Sequence, residues 1–217
     1  NPGGQINLIT RSNRRKDMIG IIDWRLDACQ KNNVTFFYNI LATKENILEQ
    51  KPDVVITYGC GILSSSTLKI LPKQTWNIHG GLSPWFKGAI THFWPSYFLK
   101  PQYTGVTIHY ITSKIDAGEI IHQTPAILVK GDGLHKLSSR SLKKGFESVV
   151  ELLKKYKSIG YLSSARQKTT GKLWLKRDWK PEHLIIIYEK FSDKIVDMYL
   201  SKEIDQEIPK IYDNFKN

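Results

Sequence analysis

The sequence predicts an α/β protein with a mostly parallel sheet flanked by helices and a short C-terminal helical extension. Short apolar or β-branched runs alternate with helix-like segments through residues 6–78, which is the pattern of α/β folds. Residues 54–58 are predominantly apolar, as expected of a strand buried on both faces of a parallel sheet. With 41% apolar residues among 217, the chain can bury a substantial core.

The first half of the chain is predicted to alternate between strands and helices. Residues 34–40 are rich in β-branched and aromatic side chains, which favour a strand. Thr43 followed by Glu45 is typical of a helix N-terminus, and Pro72 ends a later helical segment. The predicted strands are 6–10, 34–40, 54–58 and 75–78, and the predicted helices between them are 19–30, 43–50 and 64–70.

The second half is predicted to contain two further strands and two longer helices. Residues 137–156 place apolar side chains on one helical face, and Pro181 suits the first turn of a later helix. We expect a catalytic domain over residues 1–157 and a C-terminal extension with one long helix over residues 158–217. The predicted elements are a short helix at 90–99, strands at 104–111 and 119–129, and helices at 137–156 and 181–200.

Charge and composition limit the partners and the compartment. The formal charge of +12 favours nucleic acid, a membrane surface or an anionic small molecule, although scattered Lys residues also suit a solvated surface. The only dense basic cluster is Arg11, Arg14, Arg15 and Lys16. No apolar run approaches the roughly 18 residues that span a bilayer, so we expect no membrane partner. Two cysteines, Cys29 and Cys60, are expected to be buried thiols of a cytoplasmic protein.

Asn77, His79 and Asp116 are the candidate catalytic residues. Asn77 and His79 end the predicted strand 75–78, and α/β sheets bind ligands beyond the carboxyl ends of their strands. An Asn amide and a His can stabilise an oxyanion, and a nearby carboxylate can orient the His. Taken singly, each residue also suits a structural role, as His109 and His122 do within strands. The histidines show no compact ligand spacing, so no metal is expected.

Three segments together give a specific resemblance. Residues 77–88 (NIHGGLSPWFKG), 104–109 (TGVTIH) and 115–121 (IDAGEII) resemble the N10-formyltetrahydrofolate-dependent formyltransferase family, most closely its sugar N-formyltransferases. Methionyl-tRNA and glycinamide ribonucleotide formyltransferases belong to the same family. The resemblance covers about residues 6–150. It implies a Rossmann-like formyltransferase fold, N10-formyltetrahydrofolate as formyl donor, and catalytic roles for Asn77, His79 and Asp116.

The resemblance also implies a folate-binding loop. Where the family usually has Ser-Leu-Leu-Pro, this chain has Gly-Leu-Ser-Pro at 81–84, and Lys87 replaces the usual Arg. The strand and helix that usually open the family fold are expected to be missing from this sequence. The residues expected to bind the folate are Leu82, Ser83, Pro84, Lys87, Gly88 and Gly118.

The acceptor is expected to be the primary amine of a small anionic molecule, with a nucleotide-linked amino sugar favoured. The residues after 156 do not suggest the extra domain of the tRNA enzymes, and Arg14 and Arg15 are the expected phosphate contacts. Glycinamide ribonucleotide and methionyl-tRNA remain alternative acceptors. A basic nucleic-acid-binding module is the alternative from another functional class. The oligomeric state is left open, with a homodimer as one candidate.

Overall fold

The chain divides into two compact units, Asn1–Asn46 and Ile47–Asn217. The computed structural model describes residues 6–37, 43–168 and 171–216. Among these residues, no helix is both long enough and apolar enough to cross a membrane. The predicted boundary between residues 157 and 158 falls inside a helix of the second unit.

The first unit is helical over its described residues. It contains α1 (Ile6–Ile9), a 3₁₀ turn (Lys16–Met18) and α2 (Ile19–Lys31), and α3 (Lys44–Gln50) begins at its end. The prediction of a strand at 6–10 was wrong because backbone bonds from residues 11 and 12 to residues 8 and 9 close a local helical turn. The predicted strand at 34–40 is also absent over residues 34–37, and its residues 38–40 lie outside the described part.

The second unit contains a mixed four-stranded sheet. Its strands are β1 (Val55–Tyr58), β2 (Thr75–His79), β4 (Gly105–Tyr110) and β5 (Ile120–Pro125), in the order β1-β2-β4-β5. The predicted parallel pairing holds for β1 and β2, whereas β2–β4 and β4–β5 are antiparallel. The register aligns Thr57 with Asn77, and Asn77 with His109. This alignment places polar side chains from three strands side by side.

Local sequence signals explain the helices that flank this sheet. Helix α4 (Ser65–Ile70) begins where the Ser64 side chain accepts a hydrogen bond from the Thr67 backbone N–H. Helix α6 (Leu134–Ile159) confirms the predicted amphipathic helix and extends it at both ends. A Cβ at Gly145 would lie 2.6 Å from Val106, so α6 approaches β4 closely because residue 145 is glycine. Their core contains Trp76, Ile78, Val106, Ile108, Ile121, Val149, Leu152 and Leu162.

A second, aromatic cluster joins the C-terminal region to the loop after β2. Strand β3 (Phe86–Gly88) pairs in parallel with β6 (Lys172–Trp174), and Trp94 of α5 (Trp94–Tyr97) stacks on Trp174 with ring centroids 4.1 Å apart. The helix predicted at 90–99 is therefore only the single turn of α5. The residues on either side of α5 form turns with their own backbone hydrogen bonds, and aromatic packing surrounds them.

The helix predicted at 181–200 is interrupted. It forms α7 (Glu182–Ile185), a π-helical turn (Ile186–Lys190) and α8 (Ile195–Leu200). Ser192 and Asp193 between them have positive φ angles of 51° and 54°. The Asp193 carboxylate accepts a 2.8 Å hydrogen bond from the Leu134 N–H, which caps the start of α6. This tertiary contact competes with a continuous helix.

Candidate active site

The structure brings the three candidate catalytic residues together. Asn77 and His79 are two residues apart on β2, so their side chains lie on the same face of the sheet. Asp116 lies in the turn between β4 and β5. Its Oδ2 atom is 3.3 Å from His79 Nδ1, and its Oδ1 atom accepts a 3.4 Å hydrogen bond from Asn77 Nδ2. All three side chains line one cavity.

Backbone geometry aims the Asp116 carboxylate. Asp116 has a φ of 46°, in the left-handed region that few residues other than glycine adopt. The N–H of Gly88 donates a 2.7 Å hydrogen bond to Asp116 Oδ2. A Cβ at Gly118 would lie 1.7 Å from the carbonyl oxygen of Tyr110, so glycine is required where the turn passes β4. Gly88 thus holds the Asp116 carboxylate through its N–H, and Gly118 lets the turn pass close to β4 because it has no side chain.

The surroundings of Asp116 favour its ionised form. Burial alone would raise the pKa of this carboxyl group. The hydrogen bond with His109, the charge of His79 and the Gly88 N–H outweigh burial, and the pKa of Asp116 lies below its ordinary value. Asp116 is therefore a carboxylate at neutral pH.

His79 has a hydrogen-bond acceptor beside each ring nitrogen. The ring is 5% exposed, and its Nε2 lies 2.7 Å from the carbonyl oxygen of Phe86. Because a carbonyl oxygen only accepts, Nε2 carries a proton and donates it. Nδ1 faces the Asp116 carboxylate. Burial lowers the pKa of His79, while Asp116 and the Phe86 carbonyl oppose that shift.

The amide of Asn77 is oriented from two sides. The hydroxyl of Thr57, opposite it on β1, donates a 2.9 Å hydrogen bond to Asn77 Oδ1. On the other side Nδ2 lies 3.1 Å from His109 Nε2 and 3.4 Å from Asp116 Oδ1. Since a carboxylate only accepts, the amide nitrogen must face Asp116. His109 in turn donates from Nδ1 to the carbonyl oxygen of Tyr110 at 2.8 Å. The amide therefore presents a donor at the cavity wall.

The cavity encloses about 760 Å³, within the usual range of small-molecule sites. One part of its wall is the loop after β1, residues 58–62, next to Asn77 and Asp116. The first turns of α6 form another part, including Leu134 and His135. The C-terminal region contributes residues from 174 to 184. Among the described residues, no group of three or more His, Cys, Asp or Glu is arranged to hold a metal ion.

Comparison with known proteins identifies the family. Residues 39–153, more than half of the 217, match the family model described as formyl transferase. The chain belongs to the formyl transferase family. It is 42% identical over 83 residues to a probable N-methylproline demethylase of Rhizobium meliloti, covering 37% of this chain and 12% of that protein. It is 30% identical over 175 residues to a methionyl-tRNA formyltransferase of Leptospira interrogans, covering 73% of this chain and 46% of that protein.

Similar solved structures share the fold of this formyl transferase family member. The formyltransferase PseJ from Anoxybacillus kamchatkensis superposes with a TM-score of 0.57 at 26% identity, covering 80% of this chain and 90% of PseJ. That structure contains UDP-4,6-dideoxy-4-formamido-L-AltNAc and tetrahydrofolate. The Rossmann-like formyltransferase fold predicted from the sequence is thereby confirmed. The chain spans less than half the length of the two curated relatives above.

The residues expected to bind the folate have mixed positions. Gly88 lines the cavity, whereas Leu82, Ser83, Pro84, Lys87 and Gly118 are not among its lining residues. Leu82 is fully buried and packs on Gly105. Ser83 is held through its N–H by the Thr107 hydroxyl and through its carbonyl by Gln123. These contacts shape the loop that carries Gly88, and direct folate contacts by all six residues remain a prediction.

Two further expectations concern Arg14, Arg15 and the cysteines. Both arginines are exposed in the turn between α1 and the 3₁₀ helix of the first unit. Because 6–9 is a helix, Arg14 and Arg15 do not follow the carboxyl end of a strand, and their role as phosphate contacts remains a prediction. Cys29 is partly buried and Cys60 is exposed, so the expectation of two buried thiols was also wrong. Cys60 lies in the loop that lines the cavity.

Several site residues were not predicted from the sequence. Gly59 and Gly61 follow the predicted strand 54–58, a signal that points to a ligand loop in an α/β protein. The prediction that this strand is buried on both faces was wrong, because β1 lies at the edge of the sheet with Ile56 and Tyr58 exposed. His92 lines the cavity, and burial lowers its pKa to about 4, so it is neutral while Nε2 donates to the Gly105 carbonyl at 2.8 Å. Trp174 and Trp179 reach the cavity only through tertiary packing, for which no local signal exists.

Proposed function

We propose that this chain transfers a formyl group from N10-formyltetrahydrofolate to the primary amine of a small anionic acceptor, a nucleotide-linked amino sugar. The observation that carries the proposal is the convergence of Asn77, His79 and Asp116 at one cavity wall in a formyl transferase family member. An amide donor, a buried imidazole and an ionised carboxylate are the groups that amine acylation requires.

Asn77 and His79 act on the oxygen of the formyl group. As the amine nitrogen bonds to the formyl carbon, negative charge develops on that oxygen. The Thr57 hydroxyl fixes Asn77 Oδ1, so the Nδ2–H that makes the long 3.4 Å contact with Asp116 is preorganised to donate to this charge instead. The Nε2–H of His79 donates to the Phe86 carbonyl, so His79 acts on this charge through Nδ1, which faces Asp116, when that nitrogen is protonated.

Asp116 is the base that accepts the proton of the attacking amine. Its lowered pKa keeps it ionised, so it can accept that proton directly or through His79 Nδ1 at 3.3 Å. The bond between the formyl carbon and the donor nitrogen then breaks, and the proton returns to the departing nitrogen. The formyl donor supplies the one-carbon group, and the protein supplies position, charge and exclusion of water.

A reduced folate and an amine fit the cavity chemically. A volume of about 760 Å³ accommodates a ligand of that class beside a second reactant group. The loop 58–62 and Ile115 offer backbone polar groups and apolar side chains next to Asn77 and Asp116. Such a mixed wall suits a flat heterocycle with polar edges.

The opposite wall supports a nucleotide-linked acceptor. Trp174, Lys176 and Trp179 line the cavity from a segment beyond the family-matched residues 39–153. Members of one family share a donor, so we assign the acceptor to the wall outside the matched range. Trp174 is stacked on Trp94 and covered by Lys172, so the partly exposed Trp179 is the aromatic side chain that suits a nucleobase, and the exposed Lys176 suits phosphate. PseJ, which contains a UDP-linked formamido sugar, is similar over 90% of its length.

An acceptor panel tests this proposal. The full chain is incubated with N10-formyltetrahydrofolate and either a UDP- or dTDP-linked amino sugar, glycinamide ribonucleotide, or methionyl-tRNA. Tetrahydrofolate release and the mass of the formylated product are measured. We expect turnover with a nucleotide-linked amino sugar. Absence of formyl transfer to every amine would remove the enzyme assignment, whereas turnover with another amine would replace only the acceptor.

Methionyl-tRNA is the second candidate acceptor. It is favoured by the 30% identity to the Leptospira enzyme over 73% of this chain and by the net charge of +12. A tRNA acceptor should bind with strong salt dependence, because phosphate contacts release counterions. A nucleotide sugar should show a much smaller slope. Tight, salt-dependent retention on RNA without any folate-induced rise in Tm would instead favour a nucleic-acid-binding module.

Lys176, and the pair Arg14 and Arg15, are the candidate contacts for the acceptor phosphate. If Lys176 contacts it, Lys176→Ala should raise the acceptor KM by about tenfold, the value of a charged hydrogen bond, with the folate KM unchanged. Lys180→Ala, which removes a nearby exposed Lys that does not line the cavity, is the matched control. Arg14→Ala and Arg15→Ala test the sequence-based prediction in the same assay. If the acceptor KM is unaltered in Lys176→Ala, Arg14→Ala and Arg15→Ala, none of these three residues contacts the acceptor phosphate.

A further inference from the structure

Residues 163–167 lie against the start of β5, next to the Asp116 turn. The backbone of Ala165 exchanges two hydrogen bonds with Ile120, of 2.8 and 2.9 Å. The hydroxyl of Ser164 donates to the Glu119 carboxylate at 2.7 Å. This segment lies beyond the family-matched residues 39–153. It is therefore a local addition to the edge of the sheet that carries the candidate site.

Gln167 reaches from this segment to the backbone of the turn. Its Nε2 donates to the carbonyl oxygens of Asp116 and Gly118 at 2.8 and 2.9 Å. Because both oxygens only accept, the amide nitrogen must face them, which fixes the orientation of the side chain. Its Oε1 is buried and has no partner among the described residues. The Gln167 side chain thus makes two hydrogen bonds to the turn through Nε2, while its Oε1 accepts none.

Other hydrogen bonds hold the two ends of the turn: Thr112 bonds the backbone of Lys114, and the Tyr110 N–H donates to the Glu119 carbonyl at 3.0 Å. No other hydrogen bond among the described residues holds the carbonyl oxygens of Asp116 and Gly118. Asp116 itself has a φ of 46°. A non-glycine residue keeps such a conformation only where its surroundings enforce it. The Gly88 N–H acts on the carboxylate, so Gln167 is the contact that fixes the backbone beneath it.

We propose that Gln167 is a positioning residue that holds the Asp116 turn so that the carboxylate faces His79. The proposal rests on the proposed function of that site. Gln167 lies behind the turn and touches no reacting group, so it acts only through Asp116. A misplacement of about 1 Å in such a group can cost on the order of 10²-fold in rate.

A looser turn has a defined electrostatic consequence. The titratable groups that face Asp116 are His79 from β2 and His109 from β4, and Lys87 from β3 acts on His79. If Asp116 moves away from them and from the Gly88 N–H, its pKa rises towards the ordinary value. The pKa of His79 falls further, because the opposing charge of Asp116 is lost.

The test compares Gln167→Met with Arg166→Met in the full chain. Methionine matches the length of Gln but donates no hydrogen bond. Arg166 is the exposed neighbour, and the polar partner of its side chain among the described residues is Glu119. We expect Gln167→Met to lower kcat by about ten- to a hundredfold, leave both KM values within about twofold, and move the acid limb of the kcat–pH profile to higher pH. Arg166→Met should change none of these.

A double-mutant cycle separates positioning from a structural role. If Gln167 acts through Asp116, adding Gln167→Met to Asp116→Asn should lower kcat no further. Additive losses, or a lowered Tm with unchanged kcat and pH profile, would overturn the proposal. If the wild type formylates no amine, the proposed function fails. NMR titration of the His79 ring then still decides whether Gln167 positions Asp116. A lower His79 pKa in Gln167→Met supports the positioning role, and an unchanged value overturns it.

Discussion

Replacing Thr57 by Val tests whether the orientation of the Asn77 amide matters for catalysis. The two side chains have nearly the same shape, so the change removes a hydroxyl and leaves the packing of β1 in place. Besides a longer 3.3 Å contact with the Trp76 carbonyl, the lost contact is the 2.9 Å hydrogen bond to Asn77 Oδ1, which has ordinary O–H···O geometry. Without it the amide is held only through its nitrogen, by Asp116 and His109.

The expected magnitude follows from that single hydrogen bond. A neutral hydrogen bond contributes about 0.5–1.5 kcal/mol net, which corresponds to a loss of about two- to tenfold in kcat if the amide acts only in the transition state. The kcat/KM ratio should fall by the same factor. Thr57→Ser keeps the hydroxyl and should retain most of the wild-type rate.

Thr75→Val is the matched control on the neighbouring strand. The Thr75 hydroxyl donates a 2.7 Å hydrogen bond to the Pro72 carbonyl, away from the candidate catalytic groups. Both variants should lose a similar amount of stability, about 1 kcal/mol, in urea unfolding. Only Thr57→Val should lose turnover in steady-state formyl transfer. Equal rates in the two variants would refute the role given to the Thr57–Asn77 contact.

The remaining predictions concern the catalytic pair and the turn. His79→Ala and Asp116→Asn should each lower turnover on the order of 10²–10⁴-fold with an unchanged circular dichroism spectrum, and near-wild-type turnover would exclude that residue. Since the pKa of Asp116 lies below its ordinary value, activity should persist down to that lowered pKa and be lost as the pH falls through it; Asp116→Asn should abolish that limb. Gly118→Ala, whose Cβ would lie 1.7 Å from the Tyr110 carbonyl, should reduce the free energy of unfolding by about 1–3 kcal/mol, whereas Gly20→Ala in α2, with open space, should raise it by about 0.5–1 kcal/mol.

The sequence predicted the elements whose signals are local. The Ser64 cap and Pro72 delimit α4, and the apolar face of residues 137–156 identifies α6. Strand β2 was also predictable, and with it the placement of Asn77 and His79 on one face. Their meeting with Asp116 required the family resemblance, because nothing local to residue 116 shows that its turn folds back onto β2.

The wrong predictions of secondary structure have two physical causes, which are contacts with residues distant in sequence and too little local pattern. Residues 6–10 are too short a run for periodicity to separate helix from strand. The helical pattern at 181–200 is interrupted where Asp193 caps α6 through the Leu134 N–H. The loop 82–87 matched a ligand loop in sequence, yet Leu82 and Ser83 point into the interior. In each case a partner distant in sequence, or too little local pattern, decided the outcome.

The C-terminal region is as important to the site geometry as the matched motif. Asp116 is held on its carboxylate by the Gly88 N–H and on its backbone by Gln167. Gly88 is itself fixed by pairing with Trp174 on β6, and this close approach requires glycine, because a Cβ at Gly88 would lie 2.1 Å from the Trp174 carbonyl. Both Gln167 and Trp174 lie outside the family-matched residues 39–153. A chain ending near residue 160 would retain Asn77, His79, Asp116 and Gly88, but it would lose Gln167 beneath the turn and the β6 strand that pairs with Gly88.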